Sequence, residues 1–178
     1  WKDTTVKGSL ITLGVSFAVI IAILYGLEPG FVELGGSFDL LFVNTFGMSY
    51  NSGVLFYALL TLAIFSWAIY EMHKGTSDMR MRLSFLFAIL ISGMLFIGDN
   101  LLIPAVLAVA LAAYLFKVMA VVHRRIMTNI LVSSLMIFIG FSCYSLIIIR
   151  SSANLPLDEN SHSTMFGLSS YLSRDQYG

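Results

Sequence analysis

Charged residues are scarce in this sequence, and their scarcity limits the classes of protein to which it can belong. Lysine, arginine, aspartate and glutamate together make up 11% of the 178 residues, whereas 58% of the residues are apolar. A soluble domain is nearer to a quarter charged, so this chain has too little polar surface to cover itself in water. Lipid must solvate much of it. The sequence therefore predicts an all-α integral membrane protein whose first partner is membrane lipid.

Cysteine and metal-ligand clusters are also nearly absent. The single cysteine, Cys143, has no partner for an internal disulfide, so it does not indicate a redox compartment, and we expect it to be a small buried packing residue. The three histidines do not belong to a cluster with enough ligands for a metal ion, so no metal site is predicted. No Walker, dinucleotide-binding, zinc or catalytic-triad motif is present, and we expect no cofactor and no nucleic-acid partner.

The sequence begins at Trp1 rather than at methionine, and no signal peptide can be recognised at its start. It ends at Gly178 within a polar stretch. We therefore expect the chain to be a piece of a longer protein, so that the rest of its own polypeptide is one of its partners.

Long apolar runs are abundant. About 20 apolar residues cross a bilayer, and the usable range is roughly 17 to 25. Five segments of the sequence are predicted to be transmembrane helices, although the third and fourth are short: 8–25, 54–70, 83–97, 101–116 and 128–149.

The third and fourth spans come from one apolar run, Leu83 to Phe116. As a single helix this run would be about 51 Å long, whereas the hydrocarbon core is about 30 Å thick. The turn residues at 98–100 and Pro104 interrupt it. A hairpin also keeps the basic residues before and after the run on the same side of the membrane, in agreement with the positive-inside rule. Two helices joined by an outer turn are therefore predicted.

This arrangement places the N-terminus in the cytoplasm and the C-terminus outside. Eight of the ten basic residues are then cytoplasmic, and only Arg150 and Arg174 lie outside. Residues 1–150 form the predicted transmembrane region, and residues 151–178 form the start of an extracytoplasmic soluble region. Within the latter, Ser163 or Thr164 is predicted to cap a short helix.

The first outer loop contains a further helical pattern. Residues 37–48 place apolar side chains at helical spacing but are too few to span a membrane, so they predict an amphipathic helix in the outer interface or a re-entrant segment. Glycines on both sides of this pattern are predicted to supply turns: Gly30, Gly35, Gly36, Gly47 and Gly53.

Arg150 is the main candidate for a functional residue because it ends the last span on the outer face. A guanidinium at the boundary between lipid and water suits a phosphate, to which it can form bidentate hydrogen bonds. The alternative is an interfacial anchor that reaches toward the head groups and is favoured by the dipole of its helix. The residues alone leave both interpretations open.

Acidic residues offer two weaker candidates. Asp99, at the tip of the hairpin, could line a cleft that opens outward, although Gly-Asp-Asn is also ordinary turn sequence. Asp158 and Glu159, with Asn160, could bind sugar hydroxyls or a divalent ion, or take part in acid–base chemistry. A solvated loop is the simpler explanation of this acidic group.

Two motifs resemble a known family. The sequence GFSCYSLIIIRSSANLPLDENS, followed by LSSYLSRDQYG, is similar to a junction in a large bacterial membrane family of unknown function. That family is related to eukaryotic transmembrane protein O-mannosyltransferases and has a GT-C-like architecture. The matching positions are 149–160 and 171–178, and the loop from Asp39 to Gly53 also resembles the family's.

The resemblance implies a glycosyltransferase in the bacterial cytoplasmic (inner) membrane. It would transfer a sugar from a polyprenyl-phosphate donor to an acceptor such as a protein serine or threonine, and this chain would be its downstream membrane half. The catalytic acid of such enzymes lies in the first extracytoplasmic loop, and no residue here matches it, so no catalytic residue is assigned. Arg150 is expected to contact the donor phosphate. Five further residues are expected to line the mouth of the cleft: Asp99, Asn154, Asp158, Glu159 and Asn160.

The alternative is a protein without catalytic activity, namely a membrane anchor or a scaffold subunit of a larger assembly. The lack of a catalytic motif and the scarcity of polar groups within the spans favour it. A transporter is less compatible with the sequence, because the centres of the predicted spans carry almost no charge.

Overall fold

A computed structural model describes residues 5–96, 102–119, 121–153 and 163–173. These residues form helices joined by short turns, and no strand occurs among them, so the predicted all-α class is confirmed. The α-helices are α1 (Val6–Ala22), α2 (Glu28–Phe46), α3 (Ser52–Lys74), α4 (Asp78–Ile91), α5 (Leu102–Ala113), α6 (Arg124–Phe141), α7 (Ser145–Ser152) and α8 (Met165–Ser173).

The first two helices form one continuous helical segment. A π-helical segment, Ile23–Leu27, joins α1 to α2, so the backbone is helical from Val6 to Phe46. Pro29 lies in the first turn of α2 and has no N–H to donate. A π-helical turn is one way in which a helix accommodates such a lost bond. The predicted turns at Gly30, Gly35 and Gly36 are wrong, because these glycines lie inside α2.

These glycines allow other parts of the chain to approach α2 closely. A Cβ atom on Gly30 would lie 2.0 Å from the carbonyl oxygen of Gly93. A Cβ atom on Gly36 would lie 2.8 Å from the ring of Phe166. The predicted turn at Gly47 is confirmed, since this residue ends α2 in the left-handed conformation with φ +64°.

Helices α3 and α4 form an antiparallel hairpin closed at Gly75, which follows the last residue of α3. The carboxylate of Glu71 is 2% exposed, forms an ion pair with Arg80 of α4 at 2.7 Å, and accepts a hydrogen bond from Trp67 Nε1 at 3.2 Å. Arg82 of α4 donates to the backbone carbonyl oxygen of Leu115. These contacts hold α3, α4 and the segment after α5 together at the end of the bundle that contains Lys74, called the Lys74 end below.

Helix α4 ends earlier than the predicted span at 83–97. It has 14 residues and ends at Ile91, where Gly93 adopts φ +78°. The polar groups of the turn are satisfied within the protein: Tyr57 Oη donates to the carbonyl oxygen of Ile91 at 2.7 Å, and Ser92 Oγ accepts from the backbone N–H of Met94 at 3.2 Å. The apolar run is thus interrupted at Ser92 and Gly93, whereas the turn predicted at residues 98–100, which includes Asp99, lies outside the described part of the chain.

The last long helical segment consists of α6, the 3₁₀ turn Ser142–Tyr144, and α7. Helix α6 packs on α3, and both helices contribute to the largest group of buried apolar side chains. Its members include Phe65 on α3, Phe85 on α4, Leu131 on α6 and Leu115 after α5. Cys143 is exposed, so the expectation of a buried packing residue is wrong.

Helix α8 is the short helix predicted after the last span. Thr164 Oγ1 accepts a hydrogen bond from the N–H of Gly167 at 3.2 Å, which confirms the predicted cap. The helix packs on α2, where the absence of side chains at Gly35 and Gly36 makes room for Met165 and Phe166.

Three helical segments are long and apolar enough to cross a membrane: Val6–Phe46, Ser52–Lys74 and Arg124–Ser152. They contain the predicted spans 8–25, 54–70 and 128–149, and they identify the chain as an integral membrane protein. A shorter apolar segment, Leu102–Val118, contains the predicted span 101–116. The number of crossings, their orientation and the interfacial position of residues 37–48 stay predictions.

Candidate functional site

An apolar cleft of about 450 Å³ lies between α3 and the segment formed by α6 and α7. One face of α3 lines it with Val54, Ala58 and Leu62, which follow helical spacing. The opposite wall comes from α6 and α7 and includes Leu135 and Ile148. The side chains that line an empty apolar cleft of this size lack dispersion contacts on one side unless a ligand fills it.

Aromatic rings close the floor of the cleft. Phe31 of α2 stacks on Phe138 of α6, with ring centroids 4.6 Å apart, and its centroid lies 5.1 Å from that of Tyr57. Tyr57 is fully buried, and its hydroxyl is held by the carbonyl oxygen of Ile91. The floor is therefore fixed by contacts among α2, α3, α4 and α6.

Helix α8 closes one end of the cleft. Met165 and Leu168 line the cleft there, and both side chains are buried. Asn51, which precedes α3, donates from Nδ2 to the carbonyl oxygen of Ser163 at 3.1 Å. This hydrogen bond joins the start of α3 to the residues that lead into α8. We call this end of the molecule the Asn51 end.

The rim of the cleft is apolar and exposed. Leu55 is 64% exposed, Ile139 is 53% exposed and Ile149 is 60% exposed. All three lie on helical segments that are long and apolar enough to span a membrane. The cleft therefore opens through a surface that hydrocarbon would cover in a bilayer.

A few polar side chains interrupt the apolar lining, and two of their buried atoms are unsatisfied. Asn51 Oδ1 and Thr61 Oγ1 are buried, and neither has a hydrogen-bond partner among the described residues. Leaving such a group unsatisfied costs about 1–3 kcal/mol. A bound molecule that formed hydrogen bonds to these two atoms would remove this cost.

Arg150 lies at the Asn51 end, where α7 finishes. Arg150 directly follows Ile149, which lines the cleft. The side chain of Arg150 is exposed and lies in the last turn of α7. A cation in the last turn of a helix is favoured by the helix dipole, and this position suits both a snorkelling anchor and a phosphate contact. The assignment of Arg150 to substrate binding stays a prediction.

The structure does not test the remaining predicted site residues. Four of them (Asn154, Asp158, Glu159 and Asn160) and Asp99 lie outside the described residues. Within the described ranges, no group of three or more His, Cys, Asp or Glu side chains could hold a metal ion.

Sequence reasoning missed Asn51 and Thr61. In the sequence, Asn51 belongs to the loop that resembles the family, and Thr61 lies within the predicted span 54–70. A signal was present, because positions 51, 54, 58, 61 and 62 follow helical spacing and form one stripe of α3. The opposing wall comes from residues more than 70 positions away, so the sequence did not indicate that this stripe faces a cleft.

Comparison with known proteins provides no relative. No protein-family model matches the chain, and neither a curated protein nor a solved structure matches it.

Proposed function

We propose that this chain is part of a membrane glycosyltransferase that takes a sugar from a polyprenyl-phosphate donor. The observation that carries the proposal is an apolar cleft that opens toward lipid and reaches Ile149, one residue before the arginine in the last turn of α7. Such a site fits an amphiphile with a long hydrocarbon chain and an anionic head group. The motif resemblance at 149–160 supports the same interpretation.

The proposed donor lies with its chain in the cleft and its phosphate at the Asn51 end. The apolar walls and the aromatic floor exclude water from the chain. Arg150 supplies charge-assisted hydrogen bonds to the phosphate at the point where α7 leaves the lipid. In this proposal five helices cross a bacterial cytoplasmic membrane, and the Asn51 end faces the outside. Residues 37–48 lie near the outer interface, and residues 151–178 begin an outer region.

The proposed reaction is attack by an acceptor hydroxyl, such as that of a protein serine or threonine, on the anomeric carbon of the sugar. The bond from that carbon to the phosphate oxygen breaks, and polyprenyl phosphate leaves. A carboxylate elsewhere in the full protein takes the proton from the acceptor hydroxyl. Arg150 stabilises the negative charge that develops on the departing phosphate.

A transfer assay on the full-length protein in lipid tests the proposal, with sugar-linked polyprenyl phosphates as donors and a peptide rich in serine and threonine as acceptor. Arg150→Ala is expected to lower turnover about a hundredfold, because it removes a preorganised contact to the charge that develops on the leaving phosphate. Its abundance in the membrane should stay at the wild-type level.

Arg125→Ala is the matched control, because Arg125 is an exposed arginine in the first turn of α6 at the Lys74 end. It should transfer sugar at the wild-type rate. Equal turnover of the wild type and Arg150→Ala at equal abundance would contradict the role of Arg150.

A scaffold function is the second candidate, and α1 favours it. None of the residues of α1, all of which the structure describes, is buried, although most are apolar. A helix of this kind is solvated by lipid or packs on another membrane protein. Absence of transfer with all donors, together with stable co-purification of other membrane subunits, would support the scaffold over the enzyme.

A further inference from the structure

We propose that Asn51 recognises the head group of the lipid held in the cleft. Its side-chain oxygen accepts a hydrogen bond from a sugar hydroxyl of the polyprenyl-phosphate donor. This inference rests on the proposed function and adds to it the residue that distinguishes the sugar-linked donor from the bare carrier that leaves after transfer.

The position of Asn51 fits this role. Asn51 lines the cleft immediately before α3, at the same end as the last turn of α7. Val54 near the start of α3 packs in the same cluster as Ile148 of α7, whereas Met72 near the end of α3 packs in the same cluster as Met127 of α6. The start of α3 and the end of α7 therefore share one end of the bundle. A lipid whose phosphate lies at the end of α7 therefore places its sugar at this end of the cleft, and its chain extends toward Thr61.

The orientation of the side chain is fixed. Nδ2 donates to the carbonyl oxygen of Ser163 at 3.1 Å, which assigns the other terminal atom of the carboxamide as the oxygen. That oxygen is buried and receives no hydrogen bond from the described residues. The backbone of Asn51 has φ +68°, a left-handed conformation that asparagine adopts more readily than most residues. The protein thus holds an unused acceptor at the head-group end of the cleft.

A hydrogen-bond acceptor favours a lipid head group that carries a donor over one that carries only acceptors. Sugar hydroxyls are donors, whereas the oxygens of an ionised phosphate are acceptors and gain nothing from a carboxamide oxygen. A sugar-linked polyprenyl phosphate can therefore satisfy Asn51, and bare polyprenyl phosphate cannot. The same atom would favour capture of the donor and release of the product.

Thr61 does not fit this role, although its hydroxyl is also without a partner. It lies ten residues further along α3, about 15 Å deeper in the cleft. At that depth the proposed ligand is hydrocarbon. Of these two unsatisfied atoms, Asn51 Oδ1 is therefore the one within reach of the head group.

Equilibrium binding to the full-length protein in nanodiscs tests the inference. A photoreactive polyprenyl phosphate is displaced with sugar-linked polyprenyl phosphate or with bare polyprenyl phosphate of the same chain length. The wild type should bind the sugar-linked lipid about tenfold more tightly, which is the effect of one good hydrogen bond. Asn51→Gly removes the carboxamide at a position where glycine tolerates positive φ, and this preference should disappear.

Asn51→Asp separates recognition from support of the fold. Aspartate retains the side-chain acceptor but loses the hydrogen bond that Nδ2 donates to Ser163. It should therefore keep most of the preference that Asn51→Gly loses. Asn129→Ala, which changes an exposed asparagine of α6 near the Lys74 end, is the control and should behave as the wild type.

Each failure has a distinct signature. If Asn51→Gly keeps the preference, or if Asn51→Asp loses it to the same extent as Asn51→Gly, recognition by the side-chain oxygen is wrong. If the wild type transfers sugar but binds both lipids equally, the inference fails while the proposed function stands. A preference that depends on Asn51 in a protein that transfers no sugar would retain recognition and overturn the transferase. A wild type that binds neither lipid overturns both.

Discussion

Glu71 shows how a single acidic residue is accommodated in a chain with so little charge. It lies in the last turn of α3 with 2% of its surface exposed, although a negative charge at the C-terminal end of a helix is unfavourable. Arg80, 65% exposed, compensates for it at 2.7 Å across the turn between α3 and α4. The pair therefore specifies how these two helices meet.

Arg80→Ala is expected to lower the free energy of unfolding by about 1–3 kcal/mol, because the carboxylate of Glu71 then remains buried with Trp67 Nε1 as its one side-chain donor among the described residues. Thermal unfolding of the protein in detergent measures the loss. The double variant Arg80→Ala with Glu71→Gln should recover part of it, since no buried charge is left without a counterion. A double variant that is no more stable than Arg80→Ala alone would contradict this explanation.

At the scale of elements, α2 shows why glycine gives an ambiguous signal in a membrane protein. Gly30, Gly35 and Gly36 predicted turns because glycine is a common turn residue in soluble proteins. In the structure these glycines lie in a helix and provide room for Gly93, Met165 and Phe166. Small residues often have this role where membrane helices approach each other. Whether a glycine forms a turn or makes room for another segment depends on the residues that pack against it, and here those residues are distant in sequence.

Gly36→Val is expected to loosen α8 from α2. The new Cβ atom would lie 2.8 Å from Cζ of Phe166, so the ring has to move. Overpacking of this kind typically costs about 1–3 kcal/mol. Amide hydrogen exchange within residues 165–173 should become about tenfold faster or more.

Gly14→Val provides the matched control on the same continuous helix, because a Cβ atom on Gly14 meets nothing within 4 Å. It should leave exchange in α8 unchanged. If the amides of α8 exchange at the same rate in both variants, the space at Gly36 is not what allows α8 to pack on α2.

At the scale of the whole molecule, the sequence and the structure agree where one physical effect dominates. The apolar runs at 8–25, 54–70 and 128–149 predicted helices of membrane length because hydrophobicity alone determines them. The break within the apolar run was predicted at 98–100 and Pro104, but α4 already ends at Ile91, and Pro104 lies inside α5. The turn at Gly93 packs against Gly30 of α2, and Tyr57 of α3 donates to the carbonyl oxygen of Ile91. The continuity of the helix across Pro29 and the cleft itself depend on tertiary contacts that no local pattern contains.

From the proposed function we expect the cleft between α3 and the segment formed by α6 and α7 to hold the hydrocarbon chain of a polyprenyl phosphate. The measurement that tests it most directly is crosslinking of a polyprenyl phosphate with a diazirine in its chain, in membranes that contain the full-length protein. Mass spectrometry of the digested protein then maps the labelled residues.

We expect labels in residues 54–62 of α3 and 135–149 of the opposite wall, reduced by excess unlabelled polyprenyl phosphate but not by excess phosphatidylglycerol. Helix α1, which no part of the described structure covers, reports general lipid contact and should carry only label that competition does not reduce. Labels spread equally over α1 and the cleft, with the same response to both competitors, would contradict the account.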